Sequence, residues 1–176
     1  MEIIQTGIQD CFILKPTIHA DHRGYFYESY QANKFEALSG LHVNFVQDNQ
    51  AKSNYGILRG LHFQLGEHAQ AKLVRVLQGK VLDVAVDLRK DSPTYLKHVA
   101  VELSGENQLQ LFVPRGFAHG YVVLEDDTVF FYKCDNYYCK EAEGGLRYND
   151  PVINISWGIP ESDMILSEKD LVLPLL

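Results

Sequence analysis

Runs of β-branched and aromatic residues, several alternating with polar ones, make most of the chain read as strands. Residues 72–88, KLVRVLQGKVLDVAVDL, hold two such runs on either side of Gln78-Gly79, which predicts a hairpin. In the second run Val84, Val86 and Leu88 alternate with Asp83, Ala85 and Asp87, so one face is apolar and the other partly charged. KHVAVEL (97–103) and QLQLFV (108–113) flank Ser104-Gly105-Glu106, a second predicted hairpin. YVVLE (121–125) and TVFFYK (128–133) flank Asp126-Asp127, a third. Short strands with turns at this spacing predict an all-β fold, a closed antiparallel barrel or sandwich. Helix is scarce. QANKFEALSG (31–40) is the best helical segment, with Gly40 suited to end it. A short helical turn is predicted over Ser167 to Asp170, where a serine precedes acidic residues.

Composition narrows the class. The 176 residues fit one domain, 1–176, with no repeat, low-complexity tract or linker to divide it. Hydrophobic residues make up 46% and charged residues 22%, a globular balance that argues against disorder. The net charge of -7 argues against nucleic acid as a partner, because phosphate backbones require a basic face. A small anion could still be held by a few converging Arg and Lys side chains. Cys11, Cys134 and Cys139 show neither CxxC nor zinc-type spacing and read as free thiols of a reducing cytoplasm. The first residues, MEIIQTGIQD, lack the basic and apolar regions of a secretory signal. No apolar stretch approaches the length of a membrane span, so no membrane partner is expected.

Two segments carry candidate chemistry. GILRGLHFQ (56–64) and PRGFAHG (114–120) read as loops that each set a histidine, His62 or His119, at a strand edge near a barrel mouth. They resemble the two motifs of the cupin superfamily. That resemblance implies a cupin-type antiparallel β-barrel (jelly roll) with a few short helices. Metal-binding cupins continue the first motif as His-x-His and place a glutamate a few residues later. Here Gln64 stands at the second histidine position, and His68 or Ala69 at the glutamate position. A divalent metal needs three or four imidazole or carboxylate ligands, and only His62 and His119 remain. The Lys72 ammonium just downstream opposes a cation. The expectation is no metal, with His62 as a proton-abstracting base.

One cupin family matches far more of the chain. DHRGYFYESY (21–30), NFVQDNQAKSNYGILRGLHFQ (44–64), AKLVRVLQGKVLDVAVDLRKDSPTY (71–95), FVPRGFAHGY (112–121), YKCDNYYCKEAEGGLRYNDP (132–151) and LSEKD (166–170) are similar to the dTDP-4-dehydrorhamnose 3,5-epimerase (RmlC) family, in the family's order. The resemblance implies a dTDP-linked 4-keto-6-deoxyhexose substrate, inversion at C3 and C5 beside the ketone, and no cofactor. It makes His62 the base and Asp170 its orienting partner. Lys72 stabilises the enolate, and Tyr132 returns a proton from the opposite face. A hydrogen next to a ketone is acidic enough for such a base when the enolate oxygen is stabilised. Read alone, TVFFYK is an ordinary strand, with Tyr137 and Tyr138 as nearby competitors for the acid role.

The same resemblance assigns substrate contacts to Arg23, Glu28, Gln47, Asp48, Asn49, Arg59, His119, Glu143 and Lys169. Arg23 and Arg59 suit phosphate, Phe26 an aromatic wall, and Tyr138 a stack against the thymine. Glu28 and Glu143 would meet hydroxyls, base edges or the arginines. Family members are typically homodimers, so Arg23 and Phe26 could serve a neighbouring subunit's site. Close relatives that invert only C3, a metal-dependent cupin, and a non-catalytic sugar-binding cupin are the alternative readings. The last has no need of a base, orienter, lysine and tyrosine together.

Overall fold

The computed structural model describes residues 1–176. Its N-terminal half holds β1 (Glu2–Gln5), β2 (Phe12–Lys15), β3 (His19–Asp21), β4 (Gly24–Phe26), α1 (Ala32–Ser39), β5 (Gln47–Ser53), β6 (Leu58–Gln64), β7 (Lys72–Gln78) and β8 (Lys80–Asp87). Then come β9 (His98–Ser104), β10 (Gln110–Val113), β11 (Phe117–Val123), β12 (Thr128–Cys134), β13 (Glu143–Gly145) and α2 (Glu168–Leu171). One sheet has the order β1-β2-β10-β7-β12-β5 and the other β13-β6-β11-β8-β9. Strands β3 and β4 form a separate two-stranded ribbon. Neighbouring strands are antiparallel throughout. This is the all-β jelly roll implied by the sequence.

All three predicted hairpins are corrected. Strands β7 and β8 do not pair: β7 lies between β10 and β12, whereas β8 lies between β9 and β11 in the facing sheet. The same holds for β9 with β10, and for β11 with β12. Each turn carries the chain from one sheet to the other. Alternation reveals which face of a strand is buried, but it reads the same whether the next strand lies beside it or opposite it. The three crossings are tied together at one end of the barrel. The Gly105 N–H donates to the Gly79 carbonyl at 3.0 Å, and the Lys80 N–H to Thr128 Oγ1 at 3.1 Å. Gly79 alone links β7 to β8, with φ of 75°.

Between the sheets lies a core of Val74, Val76, Val81, Ala85, Leu103, Leu111, Phe130 and their neighbours. The outer faces are covered as well. Phe35 of α1 packs with Phe12, Leu14 and Phe112 on the six-stranded sheet. Burying such a phenylalanine stabilises by roughly 1.5–3 kcal/mol. Leu146, Ile153 and Trp157 cover Val84 and Val86 on the other sheet. The partly charged face of β8 turns inward with Ala85, toward the other sheet, and Asp83 and Asp87 are both fully enclosed. Asp87 accepts from Arg89, Ser92 and Thr94, and these bonds hold its carboxyl far below the ordinary carboxylate range despite burial.

Both predicted helices form. Gln31 caps α1 by accepting the Lys34 N–H, and Gly40 ends it with φ of 70°. Ser167 caps α2. No helix is long and apolar enough to cross a membrane.

The Gly79 corner gives a direct test. A Cβ there would stand 2.2 Å from Thr128 Oγ1 at a φ that side chains resist. Gly79→Ala is expected to destabilise the fold by about 2 kcal/mol, read as a lower melting temperature. An unchanged midpoint would show that the corner is slack.

Candidate active site

His62 and His119 lie in strands rather than loops, which corrects the reading of both segments. The segments form β6 and β11, and His62 lies directly opposite His119 in the ladder. Their glycines mark a close approach of two backbones: a Cβ on Gly60 would meet the Gly120 Cα at 2.7 Å. The ladder shifts register between His119 and Tyr121 at this point.

A cavity of about 550 Å³ opens between the sheets beside these histidines. His62, His119 and Tyr121 line it from the five-stranded sheet, and Lys72, Phe130 and Tyr132 from the six-stranded sheet. Arg59, Ser167, Lys169 and Asp170 complete the polar lining, with Ile57, Leu58, Ile165 and Leu166 as an apolar wall. His62 and the pair Lys72 and Tyr132 therefore face the same space from opposite walls.

His62 Nε2 lies 2.6 Å from Asp170 Oδ1. Asp170 is buried and arrives from the far end of the chain. Backbone bonds deliver it: Ile165 forms a parallel bridge with Ile57, through Leu58 N–H to Ile165 O at 2.9 Å and Ile165 N–H to Gly56 O at 2.8 Å. Two residues later Ser167 Oγ accepts the Asp170 N–H at 3.2 Å. An ionised carboxylate only accepts, so Nε2 carries the proton and Nδ1 keeps the free lone pair. Burial holds His62 below the ordinary histidine range, with Lys169 and Lys72 acting in the same direction, while Asp170 pulls it upward. The net result is a neutral imidazole, the form a base requires.

Burial also lowers the pKa of Lys72, whose Nζ sits 5.7 Å from the Tyr132 ring centre. Tyr132 is shifted the other way. Burial raises it and Cys134 adds to the rise, against a smaller opposing pull from Arg59. The phenol thus keeps its proton at neutral pH. His119 Nε2 is held by Asp83 at 2.9 and 3.0 Å, both residues buried.

At the mouth, Lys169 bridges to Glu143, which also accepts from the Tyr138 hydroxyl at 3.0 Å. Burial alone would raise Glu143, but these two bonds hold it below the usual carboxylate range. Gln47 accepts the Tyr138 N–H and donates to Asn49. Eight assigned residues do not line this cavity in the single chain: Gln47, Asn49, Tyr138 and Glu143 join it only through the Glu143–Lys169 bridge and the bonds just described, and Arg23, Phe26, Glu28 and Asp48 do not reach it. Arg23 pairs with Asp21, Glu28 with Lys34, and Asp48 with Lys133, and the Phe26 ring is exposed. Sequence reasoning missed Asp83 and Tyr121 as site residues. Their signal was parity: Asp83 shares the face of Ala85, and Tyr121 the face of His119.

Gln64 turns its carboxamide to the Cys139 N–H at 2.9 Å, and His68 lies in the separate turn Gly66–His68 beside Glu67. No group of three or more His, Cys, Asp or Glu side chains is placed to hold a metal ion.

An oriented neutral histidine, a half-buried lysine and a protonated phenol around one cavity suit proton transfer at carbon. They define a jelly-roll isomerase that works beside a carbonyl. The model of the dTDP-4-dehydrorhamnose 3,5-epimerase family matches residues 5–176. The enzyme of that name from Salmonella typhimurium is 51% identical over 100% of this chain and 96% of its own length. The crystal structure of a dTDP-4-dehydrorhamnose 3,5-epimerase from Elizabethkingia anophelis superposes with a TM-score of 0.97 at 59% identity, covering 99% of this chain and 96% of that one. A Legionella pneumophila enzyme of the family, solved in complex with dTDP-4-keto-L-rhamnose, gives 0.94 at 48% identity, covering 99% and 92%. The chain belongs to the dTDP-4-dehydrorhamnose 3,5-epimerase family. It is an isomerase, and its reaction is the 3,5-epimerisation for which the family is named.

The burial of His62 sets the pH profile. For a His62 that acts as the base, the acidic limb of kcat/KM is expected below pH 6.5, the ordinary histidine value, because burial resists its protonation. A limb above that value would mean that Asp170 outweighs burial.

Proposed function

We propose that residues 1–176 act as one domain that converts dTDP-4-dehydro-6-deoxy-D-glucose to dTDP-4-dehydro-L-rhamnose without a cofactor. The observation that carries this reading is the His62–Asp170 pair, 2.6 Å apart, across the cavity from Lys72 and Tyr132. His62 Nδ1 takes the proton from the carbon beside the C4 ketone. Asp170 stabilises the imidazolium that forms. The C–H electron pair moves into the enolate, whose oxygen faces the Lys72 ammonium. Tyr132 then protonates the carbon from the opposite face. The imidazolium and phenolate left behind return to neutrality by exchange with water. The same sequence at the second flanking carbon completes the reaction.

Arg59 and Lys169 are the cavity's own cations for the diphosphate, and His119 contributes to binding beside them. Tyr138, exposed at the mouth near Gln47, Asn49 and Glu143, offers a ring for the thymine. Arg23, Phe26, Glu28 and Asp48 reach a site only if a second copy of the chain supplies it, which supports a homodimer. The three free thiols support a cytoplasmic setting.

His62→Ala is expected to lower kcat by about 10³-fold while dTDP still binds. Near-normal turnover in this variant would refute the base assignment. In deuterated water, NMR of the sugar nucleotide should show deuterium at both C3 and C5. Label at C3 alone would identify a C3-specific enzyme instead. Tyr132→Phe should slow epimerisation yet leave exchange of the C3 hydrogen, since abstraction precedes the acid step. Loss of exchange together with turnover would remove Tyr132 from the donor role.

A further inference from the structure

Residues 143–147 touch the supports of both members of the His62–Asp170 pair. Gly145 stands opposite His62 in the ladder of β13 with β6. Leu146 and Leu61 exchange both backbone bonds at 3.0 Å. The next residue turns to the C-terminal tail. The Arg147 N–H donates to the Pro174 carbonyl and its Nε to the Leu173 carbonyl, each at 2.9 Å. Three residues further, Asp150 Oδ2 accepts the Leu176 N–H at 2.8 Å, while Oδ1 accepts Val152 and Ile153.

Helix α2 has only four residues and cannot hold its own shape in water. It is gripped ahead by the Ile57–Ile165 bridge and behind by Arg147. Arg147 does not line the cavity, and both of these bonds go to backbone carbonyls rather than to a carboxylate. Its guanidinium therefore fixes the path of the chain.

We propose that Arg147 is a positioning residue for the epimerisation: it ties the tail beyond Asp170 to the strip paired with His62, and so sets the carboxylate against the imidazole. This rests on the reading of Asp170 as the partner that orients the base. One continuous strip serves as reference for both groups, although they come from opposite ends of the chain. Loosening the tail lets Asp170 retreat while the strand-borne walls of the cavity stay in place.

A double-mutant cycle tests the proposal. Arg147→Met keeps the aliphatic stem and the backbone donor but removes Nε. It is compared with the parent protein and with Asp170→Asn, alone and combined. The expected loss is about 10-fold in kcat with KM held within about twofold, the pattern of a misplaced catalytic group. The acidic limb of kcat/KM should move to lower pH, as in Asp170→Asn, because the charge that raises the His62 pKa has withdrawn. With Asn at position 170, Arg147→Met should cost less than about twofold more, since nothing remains to position. An equal loss in both backgrounds overturns the proposal, as does a lower melting temperature with an unmoved limb. Asp170→Asn at the parent rate would overturn the orienting role itself, and the inference with it. Should Arg147→Met fail to fold, Arg147→Lys, which keeps the charge but loses the Nε geometry, takes its place in the cycle.

Discussion

The hydrogen bond between His62 and Asp170 joins residues 108 positions apart, and much of the structure is arranged around it. A buried carboxylate is costly unless it is paired, and a buried imidazole loses affinity for its proton. Each group supplies what the other lacks. The bond leaves Nδ1 as the free ring nitrogen, while burial favours the neutral imidazole. The tail that carries Asp170 must then be held as firmly as a strand, although it contains only one turn of helix. Backbone bonds to Gly56, Leu58 and Arg147 do this.

A second constraint is the facing of two sheets. Inversion at carbon needs a base and an acid on opposite faces of the substrate. A jelly roll provides two walls with a cavity between them. His62 stands on one wall, and Lys72 and Tyr132 on the other. The opposition depends on the chain crossing between sheets at Gly79, at 105–109 and at 124–127. If β7 and β8, or β11 and β12, were hairpins, these groups would share a wall. Burial acts on both sides in the useful direction, keeping the histidine unprotonated and the tyrosine protonated.

Charge is concentrated rather than abundant. The chain carries -7 overall, yet Arg59, Lys72 and Lys169 gather at one cavity. The ribbon of β3 and β4 holds Arg23 and Phe26 far from that cavity, exposed to solvent.

The chain's own order of residues determined the fold class and the two helices, and it singled out His62 as the candidate base. Helix ends were legible because Gly40 and Ser167 act within one turn of their own position. His62 and His119 stood out through the two cupin-like motifs that hold them, and Gln64 in place of a second histidine turned the reading from metal binding toward proton transfer. Strand pairing was not legible, because alternation is a local signal and says nothing about the neighbour. The glycines at 60 and 120 looked like loop residues for the same reason: their purpose is a close approach to each other. Asp83 and Tyr121 entered the site only through parity across β8 and β11. The family resemblance named Asp170 as the partner of His62, but only the tertiary structure brought the two to 2.6 Å, since a contact between residues 108 positions apart is encoded by no spacing along the chain.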